Sequence, residues 1–195
     1  TTEIYTLSLP TLFRSLFMSN RYPVDAAQTI WSAQLALELA RLRPDERLVQ
    51  CQALVLGLEA DALSGEHRSP AMAKLLAEAD GDLMNMVLHA ALKHDFPHSA
   101  VAAAEELGKR GDASVLYAVS PAPAPLAAAL EYPHRRVRFA ALAAIMALEP
   151  QSPFPGASRV PEALGYFATG ASQRRAVVAM PVAGHATTQI GRAHV

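Results

Sequence analysis

The chain has 195 residues, long enough to bury one large core or two small ones. Its 17 Lys+Arg balance 18 Asp+Glu to a formal net charge of -1, which excludes both an overall basic field for nucleic acid and an acidic tail. Hydrophobic residues make up 51% and aromatics only 6%, so Ala and Leu carry the apolar content, a skew that favours close-packed helices over strands. In chain order, Trp31, Leu35, Leu39 and Leu42 fall on one helical face of a helix predicted from Val24 to Leu42. Arg43-Pro44-Asp45 ends it, because the residue before a proline is pushed out of the α region. Leu48, Cys51, Val55, Leu58 and Ala62 form the next stripe, so residues 1–63 are expected to hold helical hairpins.

The segment Ser64 to Pro70 reads as a loop, with Gly, Ser and Pro among charges. A short helix around Ala71 to Ala79 and a longer one around Leu83 to His94 follow, started by Ser69-Pro70 and Asp80-Gly81. Two similar stretches come next. Phe96-Pro97-His98 and Tyr132-Pro133-His134 lie 36 positions apart, and Val101 with Val137 and Ala104 with Ala140 keep that offset. A period in the thirties built from helix, proline turn and helix marks a stacked helical repeat. Pro133 is expected to open the second helix of its pair, where a missing N–H costs nothing. Beyond it, Val137, Ala140, Ala141, Ala144 and Leu148 make one stripe while Phe139, Leu142, Ile145 and Met146 cover much of the rest, the pattern of a helix buried nearly all round.

Pro133, Val137, Arg138, Ala140, Ala141 and Ala144 in order resemble the HEAT repeat, whose second helix reads as a proline turn, Val-Arg and an Ala-rich run. Pro97, Val101 and Ala104 match the same pattern, with Ala102 in place of the Arg. The run from 64 to 170 is similar to bacterial HEAT-repeat domain proteins, including a further helix at Arg159 to Phe167; residues 1–63 are read as a degenerate repeat or a tetratricopeptide-like hairpin. The resemblance implies an all-α superhelix of HEAT/armadillo-like repeats. It also implies that the β-branched run near 175–180 is a short strand opening a truncated receiver-like α/β domain over 171–188. Ala179, Met180 and Pro181 stand where receivers carry their Mg²⁺-holding acids, so phosphorylation chemistry is not expected there. The ending Ile-Gly-Arg-Ala-His-Val is similar to a translated sequencing adapter. Residues 189–195 are therefore expected to be a read-through tail, and the chain, which also lacks an initiator Met, a fragment.

For chemistry, His89, His94 and His98 invite a metal reading, but Pro97 breaks the helix between the last two and no carboxylate completes a ligand set. No Walker A, G-x-S-x-G or G-x-G-x-x-G stretch occurs. Cys51, the single cysteine, sits on an apolar stripe and reads as a small buried hydrophobe; with no cysteine partner and no secretory signal, a cytoplasmic setting is expected. No apolar run approaches the ~20 residues that span a bilayer.

His134, Arg135 and Arg136, with Arg138, make the one dense cationic cluster of the helical region. The first three are the candidate partner-binding residues. Pro97, Val101, Pro133, Val137 and Arg138 are the structural repeat positions, and in HEAT repeats such an Arg braces turns and carboxylates between repeats. The expected function is a non-enzymatic scaffold that binds a protein partner, without cofactor or metal, as part of a bacterial signalling protein. An alternative is a HEAT-like bilin lyase-type enzyme that attaches a tetrapyrrole to a partner protein.

Overall fold

The computed structural model describes residues 24–65, 68–117 and 123–170. The strand expected near 175–180, the receiver-like segment and the read-through tail lie outside the described residues, as do residues 1–23. All regular structure among the described residues is helical: α1 (Val24–Leu42), α2 (Arg47–Ser64), α3 (Pro70–Glu78), α4 (Gly81–Lys93), α5 (Pro97–Arg110), a 3-10 turn (Ala113–Tyr117), α6 (Pro125–Ala129), α7 (Arg135–Leu148) and α8 (Arg159–Gly170). None of these helices is long and apolar enough to cross a membrane.

The helix starts follow local chemistry. The Ser69 hydroxyl accepts from the Met72 N–H at 3.2 Å, with Pro70 in the first turn of α3. The Asp80 carboxylate accepts from the Leu83 N–H at 2.7 Å to cap α4, and grips the Arg47 guanidinium through two bonds of 2.7 and 2.8 Å. Pro97 occupies the first turn of α5, whose far end closes on Gly111 at φ 69°, a left-handed cap that glycine adopts without penalty. Pro133 does not play the role of Pro97. It precedes the extended His134 cap (φ -79°, ψ 117°), so α7 begins two residues after the proline.

Helices pair with their chain neighbours: α1 on α2, α4 on α5, α6 on α7. The pairs then stack like on like, α4 against α6 and α5 against α7, while α2 packs on both α4 and α5 and α8 closes on α7. One contiguous core runs from Cys51 to Phe154, with Leu54, Met72, Met84, Leu88, Leu107, Leu116, Leu126 and Ile145 fully buried. The offset of 36 read from the sequence is also the spatial register of the α5/α7 contact. A Cβ on Gly108 would stand 2.9 Å from the Cα of Ala144 and 3.1 Å from its Cβ, so the two helices touch there backbone to backbone.

A polar ladder ties the units together. Glu59, Asp95 and Glu131 recur at that same spacing, and each accepts from a residue further along the chain. The buried Glu59 carboxylate takes the Ser99 N–H at 2.8 Å, serving from α2 as the cap of α5. The Ser99 hydroxyl lies 2.6 Å from the Val55 carbonyl and 3.1 Å from Glu59, with one proton for the two acceptors. Asp95 accepts from the Tyr132 hydroxyl, and Glu131 pairs with Arg159 at 2.8 Å.

Three expected faces are corrected. On α1, Leu35 is 58% and Leu42 67% exposed, and the side turned inward carries Ala26, Ala33, Leu37 and Ala40. Small side chains let α1 lie close on α2, so Ala and Leu37 mark the contact and Leu35, Leu39 and Leu42 do not. On α2, Cys51, Val55 and Leu58 are buried as expected, whereas Leu48 and Ala62 face outward. Nor is α7 buried all round: Phe139 (58% exposed) and Met146 (53%) share an outward face.

Candidate functional site

The repeat positions Val101 and Val137 face the α5/α7 seam, and Val137 is fully buried. Just outside that seam, His134, Arg135 and Arg136 stand exposed at the start of α7. No acidic residue occupies the first turn of α7, so the cations meet the partial positive charge of the helix end unopposed. Among the described residues neither Arg135 nor Arg136 forms an ion pair, although most other arginines there do.

What Arg135 does touch is aromatic. Its guanidinium carbon lies 5.8 Å from the Phe167 ring centroid and 6.0 Å from that of Tyr166, both on α8. Phe139 meets Phe167 edge to face with centroids 5.4 Å apart, and Tyr166 meets Phe167 at 5.1 Å. Arg138 is drawn into the same cluster, 4.3 Å over the Tyr166 ring, with its Nε buried and without a hydrogen-bond partner. The carboxylate-bracing role that the HEAT resemblance implies for Arg138 is filled one helix later, by Arg159 on Glu131.

These side chains border a groove of about 510 Å³ between α5 and α7, lined by Val101, Glu105, Arg135, Arg136, Phe139, Ala140 and Phe167. Val101, Phe139, Ala140 and Phe167 give it an apolar lining, α7 contributes two guanidiniums and α5 one carboxylate. The site thus offers an open apolar seat for a side chain with charge recognition beside it.

A second groove, about 550 Å³, runs between α2 and α4 and brings His89 and His94 together with Arg47, Cys51, Asn85 and Lys93; His98 does not line it. Among the described residues no group of three His, Cys, Asp or Glu side chains is placed to hold a metal. Burial pushes the Cys51 thiol above its usual range, which keeps it protonated and a poor nucleophile. The Asn85 Oδ1 is buried there without a partner, and Arg47 is already committed to Asp80.

No family model matches this chain, and no curated protein or solved structure does either. The functional reading therefore rests on the geometry of the chain itself. Sequence reasoning found the cations of the α5/α7 groove but missed its aromatic half. Phe139 was assigned to a buried face, and Tyr166 and Phe167 were read only as the end of a helix. A visible signal existed: Arg135 and Phe139 are four apart, the spacing that puts two side chains on one helical face.

Proposed function

We propose that the chain is a non-enzymatic protein-interaction scaffold of HEAT-like repeats, with its docking surface where α5, α7 and α8 meet. The observation that carries this reading is the pair of exposed, unpaired guanidiniums, Arg135 and Arg136, beside the exposed ring of Phe139. Arg and aromatic residues dominate binding energy at protein interfaces, and both types stand together on this exposed face. The in-register stacking of α5 on α7, with α4 packed on α6, supports an extended superhelical array, the architecture whose concave faces hold protein partners. The one cysteine, buried and unpaired, supports a reducing, cytoplasmic setting.

The test is affinity capture with the wild-type chain and with the R135E/R136E double variant, followed by titration of the purified captured protein against each. A partner bound by the wild type and weakened about tenfold or more by the double reversal supports the reading. Equal affinity for both would remove this face from the function.

A further inference from the structure

We infer that the α5/α7 groove takes an acidic linear segment of its partner, with one aromatic or aliphatic anchor in the groove and carboxylates on Arg135 and Arg136; this rests on the docking reading above. Three observations carry it. The first is shape and chemistry: Val101, Ala140, Phe139 and Phe167 supply an apolar seat in a groove of about 510 Å³, within the range that accepts a large side chain with part of its backbone. The second is charge complementarity. Two guanidiniums lie at the groove without an ion pair among the described residues, and Arg is the cation best shaped to take carboxylates in pairs.

The third is Glu105 on the opposite wall, exposed and without an ion pair among the described residues. It repels carboxylates placed on its own side, so the groove reads direction: acidic residues belong on one side of the anchor only. The same carboxylate opposes a nucleic-acid backbone, whose phosphates would pass both ends. The chain's own flanking segments do not complement the site. Residues 171–195 contain Arg174, Arg175 and Arg192 and no Asp or Glu, and residues 1–23 offer Glu3 alone against Arg14 and Arg21.

The experiment is fluorescence anisotropy with an array of labelled short peptides, each presenting one Trp or Leu and a block of Asp/Glu on its N-terminal side, its C-terminal side or both. The expected result is saturable binding by one block order, weakened about tenfold or more by Asp→Asn exchange, by replacing the anchor with Ala, and by added salt. R135E/R136E should lose the acidic peptides and gain their Asp→Lys counterparts, a rescue that a merely unfolded variant would not give. E105Q should abolish the preference between the two block orders. The inference is overturned by equal binding of a single-stranded oligonucleotide, or by indifference to block order. It is also overturned by sedimentation showing self-association that R135E/R136E abolishes, since the occupant would then be a second copy. If no peptide binds while the captured partner still depends on Arg135 and Arg136, the segment is wrong and the docking face stands; if the partner ignores both arginines, both fall.

Discussion

Tyr132 holds its proton more tightly than a free tyrosine: burial first, then the hydrogen bond to Asp95 and that carboxylate's charge, push its phenol up to about 12. Since the folded value lies above the unfolded value of roughly 10, the stabilisation is fully present below about pH 10 and lost as the pH rises through about 12. A phenolate absorbance titration should therefore show one tyrosine ionising after the rest, and Asp95→Asn should bring it down by removing the charge. The mirror case is Asp80, whose carboxyl is held below the usual range by its bond to Arg47 and then by the Leu83 N–H. Its contribution is present above pH ~4 and fades as the pH falls through the depressed value. Both partners are about half exposed, so salt should erode that contribution. Of the three ladder carboxylates, Glu59 is the one whose loss should cost most, because it alone is buried. Glu59→Ala leaves the buried Ser99 N–H without an acceptor and should destabilise by about 1–3 kcal/mol in denaturant titration, with Glu59→Gln, which keeps an acceptor oxygen, costing less.

At the scale of elements, the proline and capping signals were legible. The bounds of α1 match the expectation, and α3 and α4 begin within two residues of it, because Ser69-Pro70 and Asp80-Gly81 act on their own first turns. Faces were harder to read. The large residues of α1 suggested a contact through Leu35, Leu39 and Leu42, but the contact is made through alanines and Leu37, and a rule that weighs side chains by size will choose the wrong side of a closely packed helix. The ladder of Glu59, Asp95 and Glu131 also escaped notice, because its bonds reach 28 to 40 positions along the chain while local periodicity reads four or eight. Its regular spacing was nonetheless written in the sequence. The α5/α7 seam has a direct test: Gly108→Ala gains helix propensity of about 1 kcal/mol but drives a methyl into the Ala144 backbone. Overpacking against backbone costs about 1–3 kcal/mol, so thermal unfolding should show a net loss.

For the whole molecule, stability is expected to be graded along the stack. The contiguous core draws on α2 through α7, whereas α1 adds buried alanines and one partly buried leucine, Leu37. In hydrogen exchange, α1 amides should open at least about tenfold more readily than those of α4, α5 and α7. Equal protection would mean that the α1/α2 contact is as cohesive as the central seams. The proposed docking face should change little in the same measurement: reversing Arg135 and Arg136 gives up the contact of Arg135 with the α8 rings but places acids at the α7 N-terminus, so the two effects oppose and global stability should stay within about 1 kcal/mol.

The touching backbones at Gly108 and Ala144 lie further along the same two helices whose opening turns flank the groove at Val101 and Phe139. Because the helices meet there without side chains between them, a change of spacing at that point shifts one rigid helix against the other along its length. A single methyl at position 108 should therefore alter the groove at Arg135 and Phe139, and with it peptide affinity, without contacting any bound segment. In such an array the strength of a grip would be tuned from its seam, leaving the residues that read the partner unaltered.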